Sequence, residues 1–330
     1  MNPTQKLLVL YTGGTIGMQM SAAGLAPASG FEARLRAEQN AHPERPVPAW
    51  QFAELLPPLD SANMTRANWL AMRDAIVTAV DSQGCDAVLL LHGTDTLAYS
   101  AAALSFLLLG LDVPVVLTGS MQPAGVPGSD AWPNLFGALA LLAEGVAPGV
   151  HLYFDGQLLH GARASKLKSE AFDAFQDTRR PRHGERLDAL PSALHYRQLR
   201  REVALAVQPL FPGLSATQLR AVLASGAEAL LLECYGSGTG PSDNPQILAA
   251  LREAHERGVV LAAISQCAQG HVEFGVYAAG SALAQTGLVS GGGMSREAAL
   301  GKLFSLLGAG LPQAEVERLF ALDLCGELAE

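Results

Sequence analysis

Short runs of consecutive apolar residues alternate with longer, helix-periodic segments along the first half of the chain. Each run ends at a glycine, hydroxyl or acidic residue, which is typical of a buried parallel strand at its carboxyl end. Strand–helix alternation at this spacing predicts a doubly wound, mainly parallel α/β sheet. The predicted strands are Leu7–Tyr11, Ala87–Leu91, Val113–Leu117 and Val150–Phe154, and the predicted helices are Thr65–Val80 with Thr65 as its N-cap, Tyr99–Leu109 and Asn134–Glu144.

A second series of apolar and helical segments predicts a second, smaller α/β domain. Between the two series, the segment 177–202 is polar and irregular, as expected of a connection between domains. We therefore predict an N-terminal domain over residues 1–185, a linker over 186–205 and a C-terminal domain over 206–330. The strands of the second series are Val203–Val207, Ala229–Leu232 and Val259–Ile264, and its helices are Ser215–Ala224, Pro245–Arg257, Glu297–Leu307 and Ala314–Leu322.

The composition excludes several classes of protein. Of the 330 residues, 49% are hydrophobic and 16% are charged, which is inconsistent with a disordered or fibrous chain. The net charge of −9 disfavours a broad cationic surface for nucleic acid or anionic lipid. One group of arginines near the linker is the exception, and we interpret it as part of a solvated connector because aromatic stacking partners are nearly absent. These arginines are Arg179, Arg180, Arg182, Arg186, Arg197, Arg200 and Arg201.

Neither a membrane span nor a secretory signal is expected. The run most like a membrane span, Ala101–Leu117, is interrupted by Ser105, Gly110, Asp112 and Pro114, whereas a bilayer crossing needs about 20 continuous apolar residues. The N-terminal run is too short for the core of a signal peptide. The four cysteines show no C-x-x-C spacing, so neither a disulfide scaffold nor a zinc site is expected. We expect a cytoplasmic protein without a metal.

Three glycine-rich loops follow predicted strands and carry hydroxyl or acidic side chains. They are Thr12–Gly17, Leu91–Thr96 and Thr118–Ser120. Ligands bind at the carboxyl ends of parallel strands, and glycine lets the backbone approach a small ligand closely. No phosphate-binding or dinucleotide-binding glycine motif is present. Each loop taken by itself is more often an ordinary tight turn than a ligand site.

Thr15 and Thr94 lie in two of these loops, and a threonine hydroxyl becomes a nucleophile only when a neighbouring group takes its proton. Asp95 adjoins Thr94, and Lys166 follows the strand Val150–Phe154, so it can reach the same edge of the sheet. Burial would favour a neutral Lys166, whereas Asp95 would favour the charged form. The residues alone predict a hydroxyl-based acyl-transfer site and leave open which form of the lysine is present.

The loops Tyr11–Gly17 and Leu91–Thr96 together resemble the paired signature of bacterial-type L-asparaginases, and most closely the cytoplasmic type I branch. The resemblance implies hydrolysis of the side-chain amide of L-asparagine to aspartate and ammonia, without a cofactor, in a homodimer or homotetramer. It continues in order through Pro58–Ser61, Thr118–Ser120, Ser129–Asp130, Asn134, Ser165–Lys166, Phe172–Phe175, Tyr235–Gly238, Gln266–Cys267 and Tyr277–Gly280.

The resemblance also implies roles for individual residues. By position, Thr15 matches the family's nucleophile. Thr94, Asp95 and Lys166 match the residues that relay protons and hold the attacking water. Backbone N–H groups of the glycine-rich loops are the expected donors to the developing oxyanion. The resemblance implies that Ser61 and backbone N–H groups bind the α-carboxylate and that Asp60 and Asp95 bind the α-ammonium. The other implied substrate-binding residues are Gly14, Gly93, Thr94 and Ser120.

This chain departs from the family pattern at two positions. Many relatives carry a tyrosine that assists the nucleophile in the loop after it, and Leu25 stands at the matching position here. Some cytosolic relatives use a tyrosine from the second domain of a neighbouring subunit, and Tyr277 matches that residue. An asparagine often follows the family's Tyr-Gly-x-Gly, where this chain has Thr239.

Two alternatives share the fold. One is the amidotransferase subunit that supplies ammonia for glutaminyl-tRNA formation. That subunit carries an extra N-terminal domain, whereas only fourteen residues precede Thr15 in this sequence. The other is a non-catalytic amino-acid sensor, which the joint presence of Thr15, Thr94, Asp95 and Lys166 disfavours. Asparagine and glutamine differ by one methylene, worth about 1–3 kcal/mol in a pocket, so the sequence leaves selectivity between them open.

Overall fold

Each strand and helix that the hydrophobic pattern predicts is present, with its ends displaced by three residues at most. The computed structural model describes residues 4–21, 24–177 and 184–328. The chain divides into two units, Met1–Asp177 and Thr178–Glu330. Both are α/β, as predicted, and the sheet of unit 1 is mainly parallel. Arg179, Arg180 and Arg182 of the predicted arginine group lie outside the described residues.

Unit 1 is organised around a sheet with the strand order β4-β1-β5-β6-β7-β8. The pairs are parallel except at the edge, where β8 runs antiparallel to β7. Two short antiparallel pairs, β2–β3 and β9–β10, accompany it. The strands are β1 (Leu7–Gly13), β2 (Gln19–Ser21), β3 (Gly24–Ala26), β4 (Trp50–Leu59), β5 (Ala87–Leu91), β6 (Pro114–Thr118), β7 (Gly149–Phe154), β8 (Gln157–His160), β9 (Ala164–Lys166) and β10 (Phe175–Asp177). The helices are α1 (Phe31–Ala41), α2 (Arg66–Asp81), α3 (Leu97–Leu107) and α4 (Ala131–Glu144).

The central strands of unit 1 are continuous apolar runs because helices cover them. All residues of β1, β5 and β6 are buried. Helix α2 begins as predicted, since the Thr65 hydroxyl accepts the Asn68 N–H and the Asn68 side chain accepts the Thr65 N–H. This reciprocal cap satisfies two of the backbone donors that a helix start leaves open. The apolar pattern and the cap therefore specify the same element boundaries.

The order of the strands reverses at β1, because β4 lies on one side of it and β5 on the other. Ligand sites of open α/β sheets form at such a reversal, outside the carboxyl ends of the strands. Strand β4 was not predicted from the sequence, since its residues are half-buried or exposed and include Pro57 and Pro58. This edge strand lacks the apolar run that identifies the seven predicted strands, and the short strands β2, β3, β8, β9, β10 and β14 were not predicted either.

Unit 2 contains a parallel sheet with the strand order β11-β12-β13-β14. Segment 186–205 packs within this unit, where Leu187 N donates to Asp323 O and Arg201 N donates to Gly308 O. Within the described residues, every helix is too short or too polar to cross a bilayer. The strands are β11 (Leu205–Pro209), β12 (Ala229–Cys234), β13 (Val260–Ser265) and β14 (Leu288–Ser290), and the helices are α5 (Ala216–Leu223), α6 (Pro245–Glu256), α7 (Ala278–Ala284), α8 (Arg296–Gly308) and α9 (Gln313–Ala321).

A buried ion pair links the segment after α9 to α8 within unit 2. Lys302 Nζ on α8 lies 2.6 Å from Glu327 Oε1, and both side chains are fully buried. Lys302 also donates to Leu322 O, and Glu327 accepts the N–H groups of Leu324 and Cys325. Burial alone would raise the pKa of Glu327, but the Lys302 charge and these hydrogen bonds outweigh it and lower the pKa to about 2.

Removing one member of this pair is expected to leave a buried charge without a partner. We expect Lys302→Met to lower the free energy of unfolding by about 3–5 kcal/mol. Urea denaturation at pH 7 measures the change. Arg318→Met in the exposed Arg318–Glu315 pair of α9 is the matched control and should change stability little. Equal effects of the two substitutions would contradict a stabilising role for the buried pair.

The same pair has a predictable pH dependence. Glu327 has a lower pKa in the folded chain than in the unfolded chain, so its contribution is complete above the unfolded value of 4.5. That contribution is lost as the pH falls from 4.5 towards 2. Glu327→Gln should therefore show a shallower loss of stability with acidification over this window than the wild type.

Candidate active site

The loops after four adjacent strands bring most of the predicted site residues to one edge of unit 1. Strand β4 leads into Asp60 and Ser61, and β1 leads into Gly14 and Thr15. The loops after β5 and β6 complete the edge. They contain Gly93, Thr94, Asp95 and Ser120.

The backbones of Gly14 and Gly93, which immediately precede the two candidate threonines, are in direct contact. A Cβ at Gly14 would lie 2.3 Å from Gly93 N. A Cβ at Gly93 would lie 2.5 Å from Ser61 Oγ and 3.1 Å from Gly14 Cα. Gly14 also has a φ of +83°, which side-chain-bearing residues rarely adopt. Glycine is therefore required on both sides of this contact, which holds the β1 and β5 loops together.

Thr94, Lys166 and Asp95 form one hydrogen-bonded group. Lys166 Nζ donates to Thr94 Oγ1 at 2.9 Å and to Asp95 Oδ1 at 2.8 Å. Thr94 is buried, whereas the Asp95 side chain is 64% exposed. Lys166 is the last residue of β9, where it pairs with Phe175 on β10. The sequence predicts that Lys166 can reach this edge of the sheet, and the structure shows in addition that it contacts both Thr94 and Asp95.

Thr15 starts a single 3-10 turn, Thr15–Gly17, and its hydroxyl has no hydrogen-bond partner among the described residues. Leu25, which stands where many relatives have tyrosine, lies on β3 directly opposite Met20 on β2. Both side chains are exposed. An aliphatic pair cannot accept a proton, so this hairpin offers Thr15 no base at these two positions.

Asp60 and Ser120 are engaged with their own loops. Asp60 Oδ1 accepts the Ala62 N–H at 3.1 Å and so caps the short 3-10 turn that begins at Ser61. The Ser120 hydroxyl donates to Gln122 O at 2.6 Å. Ser61 is buried, and its carbonyl accepts the hydroxyl of Thr96 at 2.9 Å. These contacts position the three predicted binding residues and leave their roles towards substrate as predictions.

Two of the discussed positions belong to unit 2. Tyr277 precedes α7 and is 60% exposed, and its hydroxyl has no hydrogen-bond partner within the described part of the chain. Thr239 pairs with Tyr235 in a tight turn, where its N–H and its hydroxyl both donate to Tyr235 O.

The residues that hold these loops in place were not predicted from the sequence. The Asp130 carboxylate accepts the N–H groups of Met121 and Gln122, at 2.8 and 3.0 Å. Asn134 Nδ2 donates to Gly119 O at 3.0 Å, and Asn134 Oδ1 accepts the Asp155 N–H at 2.9 Å. The first turns of α4 thus fix the β6 loop. Both side chains were part of the family resemblance, but nothing in their spacing indicated this bonding.

His92 was also missed, although it lies within the Leu91–Thr96 motif. Its ring is fully buried, and its two nitrogens bond to Gly93 O and to Ser100 Oγ. Burial lowers the pKa of His92 to about 4, so the imidazole is neutral at pH 7. A histidine directly after an apolar strand was a signal that could have been followed. Its partner on α3 is visible only in the fold.

Among the described residues, no group of three or more histidine, cysteine, aspartate or glutamate side chains is arranged to hold a metal ion. The hydroxyl, ammonium and carboxylate groups of this edge can bind a polar ligand and transfer protons.

Comparison with known families agrees with this class of site. Residues 6–197 match the model described as the N-terminal domain of asparaginase, and residues 205–320 match the C-terminal domain of glutaminase/asparaginase. The chain belongs to the asparaginase family of enzymes.

Individual relatives support the assignment over the full length. The chain is 36% identical to L-asparaginase 1 of Escherichia coli (strain K12), over 98% of each protein. It is 31% identical to a glutamyl-tRNA(Gln) amidotransferase component of Metallosphaera sedula, over 98% of this chain and 76% of that protein. The crystal structure of L-asparaginase I from Vibrio cholerae O1 matches with a TM-score of 0.84 and 33% identity, over 99% of each chain. The family recognised from the motifs is confirmed.

The contact between the two loops can be tested through stability. Gly93→Ala is expected to lower the free energy of unfolding by about 1–3 kcal/mol, because the added Cβ does not fit against Ser61. Urea denaturation at pH 7 measures this. Adding Ser61→Gly removes the closest atoms, so the double variant should recover part of the loss. A single variant as stable as the wild type would contradict the close approach.

Proposed function

We propose that this protein hydrolyses the side-chain amide of L-asparagine to L-aspartate and ammonia through a threonine acyl-enzyme. The contact of Gly14 with Gly93 carries the proposal, because it sets Thr15 and Thr94 on touching loops. The group formed by Thr94, Lys166 and Asp95 supports it. Two relatives of this chain bear the name L-asparaginase, which supports the same substrate.

The reaction has two steps. Thr15 Oγ1 attacks the amide carbon, the carbon–nitrogen bond breaks, and the substrate is held as an ester. The hydroxyl proton passes to the leaving nitrogen, so that ammonia departs instead of a strongly basic amide anion. Water then attacks the ester, aspartate leaves, and Thr15 regains its proton.

We assign proton transfer and placement of the water to Thr94, Lys166 and Asp95. Lys166 Nζ lies within hydrogen-bond distance of both partners, which is the reach that general acid–base catalysis requires. The carbonyl oxygen becomes negatively charged when it is attacked. Backbone N–H groups of the two glycine-rich loops are suited to stabilise it, because they are fixed before the reaction begins.

The charged end of the substrate needs partners of both signs. We assign the α-carboxylate to Ser61 and neighbouring backbone N–H groups, and the α-ammonium to Asp60 and Asp95. Gly14, Gly93, Thr94 and Ser120 surround the amide in this proposal. A cytoplasmic location is proposed with it, from the resemblance to the cytoplasmic type I branch.

Release of ammonia from L-asparagine by the purified protein tests the function directly. We expect Thr15→Ala and Thr94→Val each to lower kcat by ~10³ or more, as happens when members of a nucleophile relay are removed. Thr78→Val, at an exposed position of α2, is the matched control and should leave kcat unchanged. Turnover near that of the wild type in either site variant would refute the role assigned to it.

We further propose that the protein assembles into a homodimer or homotetramer in which Tyr277 of one subunit assists Thr15 of another. Two observations support this: Leu25 cannot serve as a base, and Tyr277 is largely exposed. We expect Tyr277→Phe to lower kcat.

Mixing inactive variants tests whether Tyr277 acts between subunits. Thr15→Ala and Tyr277→Phe, unfolded together and refolded as random dimers, should recover about a quarter of wild-type activity, because half of the sites in a mixed symmetric dimer are intact. Co-refolding each variant with itself is the control. Failure of the mixture to exceed the separate variants would contradict a role of Tyr277 between subunits.

A further inference from the structure

A chain of buried hydrogen bonds links the Thr94 loop to two helices of unit 1. His92 Nδ1 lies 2.7 Å from Gly93 O, and His92 Nε2 lies 2.8 Å from Ser100 Oγ on α3. Trp69 Nε1 on α2 donates to the same Ser100 Oγ at 3.1 Å. His92 and Ser100 are fully buried and Trp69 nearly so. This relay of hydrogen bonds thus runs through the interior of unit 1 and ends at Gly93 O, in the backbone of the loop.

The chemistry of these groups allows only one arrangement of their hydrogens. A carbonyl oxygen can only accept, so His92 Nδ1 carries the ring hydrogen and donates it to Gly93 O. The neutral ring then has a lone pair on Nε2, which accepts the hydroxyl hydrogen of Ser100. The Ser100 oxygen accepts from the Trp69 indole, which can only donate. Because every link has a defined direction, the relay orients the imidazole and, with it, the donor to Gly93.

The acceptor of this relay is part of the peptide group that links Gly93 to Thr94. Since a peptide group is planar, holding Gly93 O fixes the orientation of the Thr94 N–H as well. A hydrogen bond on the oxygen also polarises the N–H on the other side of the group. The Cα at one end of this peptide is confined as well, because a Cβ at Gly93 would lie 2.5 Å from Ser61 Oγ and 3.1 Å from Gly14 Cα.

We infer that His92 is a positioning residue of this site: its Nδ1–H holds the Gly93–Thr94 peptide so that the Thr94 hydroxyl stays on Lys166 and the Thr94 N–H faces the reacting amide. The inference rests on the proposed function, to which it adds a residue that touches neither substrate nor reacting atoms. Ser100 and Trp69 serve the same end by orienting the His92 ring.

Two substitutions at His92 distinguish the effect of its N–H donor from the effect of its side-chain volume. His92→Leu removes both ring nitrogens, whereas His92→Asn keeps an N–H near the position of Nδ1. We expect His92→Leu to lower kcat by about 10²-fold, the loss that a misplacement of ~1 Å causes. KM should change by less than about threefold, because the side chains assigned to the charged end of the substrate remain. The kcat of His92→Asn should be at least about tenfold higher than that of His92→Leu.

The control is His151→Leu, which removes another ring bonded to a backbone carbonyl, that of Ala147. It should leave kcat unchanged. All rates are expressed per folded molecule, using near-ultraviolet circular dichroism, so that a loss of stability is not counted as a loss of kcat. Equal kcat values for His92→Leu and His92→Asn, or a kcat of His92→Leu near that of the wild type, would overturn the inference.

A measurement without substrate keeps this test separate from the proposed function. In ¹⁵N spectra of the wild type at pH 7, His92 should carry its hydrogen on Nδ1. The Thr94 amide resonance should shift in His92→Leu and return towards the wild-type position in His92→Asn. A His92 ring protonated on Nε2, or a Thr94 amide resonance that is unchanged in both variants, would overturn the inference even if asparagine is hydrolysed. A wild type inactive on asparagine with these spectra as expected would overturn only the proposed function.

Discussion

The candidate site depends on one steric constraint, the touching backbones of Gly14 and Gly93. The strand order brings the β1 and β5 loops out side by side, and the absence of side chains at both glycines lets them meet. A threonine follows each glycine, so the contact determines how close the two hydroxyl-bearing residues lie. Larger residues would separate the loops and lose this arrangement even if both threonines were retained.

The irregular loops of the site have a backbone that is not hydrogen-bonded within a strand or helix. Buried polar side chains of unit 1 supply those hydrogen bonds instead. Asp130 and Asn134 hold the β6 loop, and Asn134 also holds the Asp155 N–H, at a residue with an unusual φ of 47°. His92 supports the β5 loop. In a low-dielectric interior such bonds are strong, and leaving one partner unpaired is costly. These buried hydrogen bonds therefore anchor the β5 and β6 loops to the body of unit 1.

The sequence was sufficient to predict the strands buried on both faces, because short apolar runs such as β5 are bounded by turn residues and alternate with longer helix-periodic segments. It was insufficient for the edge strand β4, whose partly exposed residues and prolines conceal its pairing with β1. Asp60 and Ser61 could therefore be assigned only by family resemblance. Local sequence also placed Lys166 near the right edge, but its bonds to Thr94 and Asp95 depend on tertiary packing. The same holds for the bond of His92 to Ser100.

The scattered origin of the site has a consequence for the newly made chain. The β1 and β5 loops and Lys166 come from distant parts of the sequence, and contacts between distant segments are the slowest to form during folding. The hydrogen-bonded group of Thr94, Asp95 and Lys166 can thus assemble only after the sheet has formed and β9 has paired with β10. In a half-synthesised chain Lys166 is still missing or unplaced, so this group of side chains is a property of the completed fold alone.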